Sequence, residues 1–280
     1  MPELPEVETV VRDLRPLVVG RTVLGVEVGE RRLRRPWDAA WPGRLVGVTV
    51  ESIRRRGKWI LLDLSGGARL VVHLGMTGQF TAVPTLALRP DHLHVVFTLS
   101  GLVELRFRDI RRFGSVELVA DEATAMASLD GKLGPEPFDI PAAGFHAAVT
   151  GTTRTLKALL LDQSLVAGVG NIYADEALHR ARLHPETRGA QLTKPQVNRL
   201  REAITAVITH AIEARGSTIR DYVGGSGLKG GFQREFRAYG RTGEPCPTCG
   251  VPIERVRVAG RSSHFCPRCQ RVAKTGEPEA

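Results

Sequence analysis

At 280 residues, with 42% apolar and 25% charged side chains, the chain has ordinary globular composition and a length that suits about two domains. No apolar run approaches the ~18 to 20 residues of a membrane span, and Met1-Pro2-Glu3 opens without the basic and apolar stretches of an export signal. Disorder, coiled coil, collagen-like repeats and membrane insertion are excluded, and a soluble cytoplasmic protein is expected.

The opening predicts a helix: Pro5 suits a first turn, Val7, Val10, Val11 and Leu14 recur at helical spacing, and Gly20 follows the end. Up to about residue 120 the pattern turns to strands, over 21–28, 45–53, 59–64, 69–74, 94–99, 103–107 and 115–119, each rich in Val, Leu or Ile and punctuated by Gly. Strands at that density imply a β-sandwich or barrel. A Gly- and Pro-rich stretch, 131–137, reads as a hinge. Beyond it the pattern is helical, over 156–161, 172–181 and 193–215, the last opening with a Thr193-x-x-Gln196 box and lining one face with Val197, Leu200, Ile204, Val207, Ile208, Ala211 and Ile212. The glycine-rich segment 216–231 leads to the C-terminal cysteines. The fold class is α+β multidomain, divided as 1–133 (β-sandwich with a leading helix), 134–236 (helical) and 237–271 (cysteine hairpin).

Charge points to a partner. The chain carries 39 Lys and Arg against 30 Asp and Glu, a net charge of +9, and residues 215–274 alone hold 12 basic and 4 acidic side chains. Base concentrated beside cysteines favours a polyanion, and nucleic acid leads among those.

All four cysteines lie in two Cys-x-x-Cys knuckles, Cys246/Cys249 and Cys266/Cys269, with 16 residues between the pairs. Four thiolates at this spacing suit one tetrahedral zinc, and a disulfide alternative would need an export signal. Such a metal is structural, because four protein ligands leave no open position for chemistry. No nucleotide-binding motif is visible, so no redox or nucleotide cofactor is expected.

Two further features carry chemistry. Pro2 is small enough for Met1 to be removed, which exposes a secondary amine with a reference pKa of about 7.7 to 8 that can attack an electrophilic carbon to form an iminium, with Glu3 placed to shuttle a proton. In Gly168-Val-Gly170-Asn171, Asn171 is expected to cap a helix starting at Ile172, where free N–H groups could also hold a phosphate.

The run Met1-Pro-Glu-Leu-Pro-Glu-Val-Glu-Thr9 is similar to the opening of bacterial formamidopyrimidine-DNA glycosylases. Further matches follow in chain order: Arg56-Gly-Lys58-Trp, His73-Leu-Gly-Met76-Thr-Gly78, Arg111-Arg-Phe-Gly114, Leu133-Gly-Pro-Glu-Pro137, Gly168 to Glu176, Tyr239 to Cys246, and Gly260-Arg261. The ordered set, with Gly260-Arg261 leading into the Cys266/Cys269 knuckle, reaches from residue 1 to residue 269.

The resemblance implies a bifunctional repair enzyme that removes oxidised purines from double-stranded DNA and nicks the abasic strand. The implied architecture is an N-terminal β-sandwich, a helix-two-turn-helix domain and a β-hairpin zinc finger, acting as a monomer. Pro2 would be the nucleophile, Glu3 the general acid, and Lys58 a proton donor and phosphate contact. Met76, Arg111 and Phe113 would fill the gap left by an extruded base. His92, Arg154, Asn171 and Arg261 would grip the backbone, with Arg261 also tied to the final elimination, and His94 competes with His92. Residues 217–237 would line the lesion pocket, their glycines implying mobility. One departure is Ile110, where the family usually carries Pro, so the loop presenting Arg111 loses a fixed φ. Two other readings stay open: a sister enzyme acting on oxidised pyrimidines, and a non-catalytic DNA-binding relative.

Overall fold

The computed structural model describes residues 1–35, 37–129, 133–218 and 222–271. The chain forms two compact units, one of Met1–Gly131 with Ala211–Gln233, the other of Lys132–His210 with Arg234–Ala280.

The first unit is led by α1 (Leu4–Val18), with Pro5 in its first turn and Val7, Val10, Val11 and Leu14 buried along one face, as the periodicity predicts. Eight strands follow: β1 (Val23–Val28), β2 (Val50–Arg56), β3 (Trp59–Leu64), β4 (Arg69–His73), β5 (Gly78–Pro84), β6 (Leu93–Leu99), β7 (Val103–Asp109) and β8 (Ser115–Val119). They pair antiparallel in two four-stranded sheets, ordered β1-β6-β7-β5 and β2-β3-β4-β8. Alternate residues from both sheets, among them Ile60, Leu62, Leu70, Val72 and Val116 from one and Phe80, Val95, Phe97, Leu105 and Phe107 from the other, share one core with α1. Period-2 patterning thus buries one face of each sheet.

Two departures from the sequence reading fall here. β5 is an additional strand, masked in the sequence by its weak apolar alternation, Gly-Gln-Phe-Thr-Ala-Val-Pro. The segment predicted as a strand from Leu45 begins instead in a short helix, α2 (Trp41–Leu45), before β2 starts at Val50.

The topology sets the loops that matter later. β4 and β8 end together at His73 and Ser115, and β5 and β7 end together at Gly78 and Asp109. The chain therefore passes between the sheets twice at one place, through residues 74–77 and again through 110–114. Gly75 (φ 60°) sits so close to Phe113 and Gly114 that a Cβ there would fall 2.5 Å from the backbone of either.

After α3 (Glu122–Ser128), the second unit holds α4 (Ala142–Thr150), α5 (Leu156–Leu161), α6 (Asn171–Ala181) and most of α7 (Lys194–Glu213), then a hairpin of β9 (Glu254–Val258) and β10 (Arg261–Phe265). Thr193 N–H donates to Gln196 Oε1 at 2.8 Å, the reciprocal half of the box expected at the start of α7. α3 and α4 were not anticipated; α4 is built largely of Ala, Gly and Thr and buries only Phe145 and Val149. Residues 131 and 132 of the expected hinge lie outside the described residues. The remainder is tied down: Gly134 N–H donates to the Gln163 carbonyl, Ala167 N–H to that of Pro135, and Thr205 Oγ1 to that of Pro137.

Candidate active site and metal centre

In the first unit the N-terminus is ordered by its own helix. Pro2 and Glu3 are buried, and Glu3 is the N-cap of α1, its backbone N–H donating to Glu6 Oε2 at 2.9 Å in a capping box. The other Glu6 oxygen accepts from Ser217 N–H at 2.7 Å and Ser217 Oγ at 2.9 Å. Lys58 is buried in the two-residue Gly57-Lys58 turn that joins β2 to β3. Arg55 connects that turn to α1: its Nε donates to Glu8 at 2.9 Å and its Nη1 to the Gly57 carbonyl at 3.1 Å. Burial pushes the Glu8 carboxyl up, but hydrogen bonds and charge from Arg12 and Arg55 outweigh this and hold it below its ordinary value.

Met76, Arg111 and Phe113 all stand exposed on the paired passages 74–77 and 110–114, and the Arg111 guanidinium lies over the Phe113 ring, 4.5 Å from its centroid. An arginine, an aromatic ring and a flexible thioether are thus presented side by side. His92 is exposed in the left-handed region, at φ 65°, whereas His94 is buried with Nε2 2.8 Å from the Asp109 carbonyl. Of the two histidines, His92 is the one exposed to solvent.

In the second unit Asn171 is the first residue of α6 and Gly170 is its N-cap, so the expected cap sits one position early. The Asn171 Oδ1 atom is buried without a hydrogen-bond partner among the described residues, and its carbonyl accepts from Lys157 Nζ at 2.9 Å. Arg154 is exposed and pairs with Asp162 at 2.7 Å. Hydrogen bonds from Ser164 and Arg154 hold the Asp162 carboxyl below its ordinary value. Arg261 is exposed at the start of β10, directly after the hairpin turn.

The four cysteine sulfurs lie within 4.8 Å of one another. Thr248 N–H and His179 Nε2 each approach Cys246 Sγ at 3.4 Å, and Cys269 N–H approaches Cys266 Sγ at 3.4 Å, the donors a thiolate accepts. Burial disfavours the Cys246 thiolate, yet the His179 contact and neighbouring backbone N–H groups bring the thiol down to about 6. Burial and the adjacent sulfurs of Cys249 and Cys266 push Cys269 up to about 12. Four thiolates this close need a cation between them, and the all-sulfur tetrad fits a structural zinc.

Sequence reasoning missed several polar residues behind these groups. Lys157, fully buried, pairs with Asp175 at 2.5 Å; the second Asp175 oxygen accepts from the backbone N–H of His264 and faces its Nδ1, each at 2.9 Å, tying α5 and α6 to β10. Glu176 accepts the backbone N–H groups of Arg237, Ala238 and Tyr239. A Glu three residues after Glu3 was a visible capping signal; Lys157 and Asp175 gave none.

The chain matches the Formamidopyrimidine-DNA glycosylase N-terminal domain over residues 1–116, the Formamidopyrimidine-DNA glycosylase H2TH domain over 133–223, and the zinc finger found in FPG and IleRS over 243–272. It is 45% identical over 276 residues to the formamidopyrimidine-DNA glycosylase of Geobacillus kaustophilus, covering 97% of this chain and 100% of the relative, and 43% identical to that of Chloroflexus aurantiacus, covering 96% and 98%. Among solved structures it is similar to Lactococcus lactis Fpg bound to DNA containing N7-benzyl-Fapy-dG, and to MutM bound to DNA containing carbocyclic 8-oxo-G. Each has a TM-score of 0.89 at 37% identity and covers 96% of this chain and 100% of the other. With its sandwich, helical and zinc-hairpin regions matched in order and nearly half its residues identical to those relatives, the chain belongs to the formamidopyrimidine-DNA glycosylase family.

Proposed function

We propose that the chain removes oxidised purines, 8-oxoguanine and formamidopyrimidines, from duplex DNA and then cleaves the abasic strand by β,δ-elimination, working on chromosomal DNA in a bacterial cytoplasm. Residues 1–133 serve as the catalytic sandwich, 134–236 as the helix-two-turn-helix region with its lesion loop, and 237–271 as the zinc finger. The names of its relatives, and the damaged DNA held by the solved structures it resembles, support the substrate class.

A lesion inside the stack is out of reach, so the nucleotide must turn out of the helix, at a cost of a few kcal/mol that backbone contacts and inserted side chains offset. Met76, Arg111 and Phe113 fill the gap, while His92, Arg154, Asn171 and Arg261 hold phosphates. Once Met1 is removed, the Pro2 nitrogen attacks the anomeric carbon, and the base leaves with the glycosidic electron pair and takes up the proton that the nitrogen sheds. Glu3 protonates the ring oxygen as the sugar opens, leaving an iminium between Pro2 and the sugar. That cation acidifies the adjacent C–H; loss of the proton expels the 3′ phosphate, a second elimination expels the 5′ phosphate, and water releases the sugar remnant. Lys58 supplies a proton and a phosphate contact beside this path. Zinc holds the shape of the hairpin that presents Arg261.

The observation that carries this reading is the order of the N-terminus. Chain ends normally fray, yet here Pro2 and Glu3 are buried and the Glu3 N–H is fixed on Glu6. The test is borohydride trapping on an 8-oxoguanine duplex. A covalent adduct mapping to the N-terminal peptide is expected, and a retained N-terminal tag should abolish it. An adduct on Lys58, or none, would overturn the assignment, and faster release from thymine glycol duplexes would favour the pyrimidine-specific sister class.

A further inference from the structure

We propose that Asp109 is the positioning residue for the side chains that enter the DNA, holding both wedge segments and the His92 turn through one buried group. This rests on the reading of Met76, Arg111 and Phe113 given above.

Asp109 is fully buried at the end of β7, and every polar atom it has is used. Its N–H donates to the His92 carbonyl at 3.1 Å, and its own carbonyl lies 2.8 Å from His94 Nε2. Oδ1 accepts from Thr77 Oγ1 at 2.5 Å and from Arg111 N–H at 3.2 Å, and Oδ2 accepts from Gly114 N–H at 2.8 Å. Thr77 also accepts from Arg111 N–H through Oγ1, at 3.1 Å. Thr77 follows Met76, and Gly114 follows Phe113. One carboxylate therefore binds each of the two passages between the sheets next to a residue that enters the DNA.

The bonds straddle a strained residue. Arg112 has φ 56°, in the left-handed region that costs a residue with a side chain about 1 kcal/mol or more. Such a conformation persists where the surroundings over-determine it. Asp109 accepts from the N–H groups on either side, those of Arg111 and Gly114, and so closes the loop around Arg112. This is the constraint that proline at position 110 supplies by another route, by fixing φ. With Ile110 in that place, the carboxylate carries more of the order.

A charged acceptor shared by three donors in a dry site contributes more than a neutral one. Its expected signature in function is selective. Arg111 meets the base opposite the lesion, so a misplaced loop costs discrimination between opposite bases, whereas bond formation at Pro2 involves no opposite base.

The experiment compares excision of 8-oxoguanine opposite cytosine and opposite adenine, alongside borohydride trapping on single-stranded abasic DNA, which has no opposite base. Asp109→Asn keeps the volume and replaces one acceptor by a donor that faces an N–H. The cytosine-to-adenine ratio should fall by about tenfold, the scale of one specific base contact, and trapping on the single strand should fall less than duplex excision. Ile110→Pro added to Asp109→Asn should restore part of the ratio. Thr77→Val removes a single donor from an intact carboxylate and should lower the ratio by a smaller factor; it decides the matter should Asp109→Asn fail to fold. Proportional losses on every substrate in Asp109→Asn would overturn the proposal, as would an unchanged ratio in Thr77→Val should Asp109→Asn fail to fold. Failure of the wild-type enzyme to trap or excise would instead overturn the functional reading beneath it.

Discussion

Glu6 and Ser217 stand 211 positions apart and are joined by two hydrogen bonds, Ser217 N–H at 2.7 Å and Ser217 Oγ at 2.9 Å, both to Glu6 Oε1. The same carboxylate holds the Glu3 N–H, so the segment after α7 and the chain terminus that bears the proposed nucleophile share one anchor. Gly216 lets the two approach: at φ 72°, a Cβ there would lie 3.0 Å from Glu6 Oε1.

Glu6→Gln should therefore act at both ends. An amide places a donor against an N–H that needs an acceptor, and losing a charged hydrogen bond in a buried site costs about 2 kcal/mol. Ser217→Ala removes the hydroxyl but keeps the backbone donor, and should cost about 1 kcal/mol. Urea denaturation measures both. Borohydride trapping should slow more in Glu6→Gln than in Ser217→Ala, and equal slowing would mean that the terminus is not held through Glu6.

A second test uses pH. Hydrogen bonds from Arg12 and Arg55 overcome burial and depress the Glu8 carboxyl below its ordinary 4.5. A group whose folded value is depressed stabilises the fold above its unfolded value, and that stability is lost as pH falls through the folded value. Glu8→Gln should consequently be less stable than wild type by about 1 kcal/mol at pH 7. The two proteins should converge as the pH falls below about 4. A gap that persists undiminished in acid would show that packing, not charge, separates them.

These contacts mark what the sequence makes legible. The leading helix, the strand-rich half and the zinc knuckles announce themselves through periodicity and spacing, because each follows from nearby residues. β5 and α4 do not, since Gly78-Gln-Phe-Thr-Ala and Ala142-Ala-Gly-Phe carry little periodic signal and are placed by neighbours distant in sequence. Glycines 224–231 read as flexibility, yet a Cβ on Gly225 would strike Leu14 and the Val10 carbonyl, and one on Gly230 would strike the Gly216 carbonyl. Gly225 and Gly230 are thus close-packing positions, whereas Gly227 stands in open space at φ 83°. Asp109 carries no sequence signal because its partners, Thr77, Arg111, Gly114 and the His92 and His94 backbone and ring, gather only once the sheets form.

The buried Lys157–Asp175 pair gives a third prediction. Removing one member of a buried pair leaves the other charge uncompensated, which costs about 3 to 5 kcal/mol, while replacing both by apolar residues is often nearly neutral. Lys157→Met should lower stability by that amount, and Lys157→Met with Asp175→Leu should recover much of it. Because Asp175 also holds His264 of β10, the single variant should loosen the zinc hairpin, read as faster zinc release to a chelator. Stability loss with unchanged zinc release would separate the pair from the hairpin.

The last prediction concerns the turn that presents Arg261. Val258 pairs with Arg261 across a two-residue loop, and both loop residues have positive φ, Ala259 at 51° and Gly260 at 72°. That is the hairpin turn that favours Asn-Gly, and alanine is strained at its first position. Ala259→Asn should stabilise the hairpin by about 0.5 to 1 kcal/mol, and Gly260→Ala should cost about 1 kcal/mol, although open space surrounds the added methyl, because the strain lies in the backbone. Neither should release zinc, since both lie away from the sulfurs; Cys249→Ser should release it, leaving the sandwich folded. Arg261→Ala should keep zinc and the turn yet weaken DNA binding, with the slope of log affinity against log salt reduced by about one phosphate contact. The turn variants change how firmly the guanidinium is held without removing it, so they should shift affinity at fixed slope. An Arg261→Ala protein whose salt slope matches wild type would take Arg261 off the DNA, and the hairpin would then owe its basic character to Arg255, Arg257 and Arg268 instead.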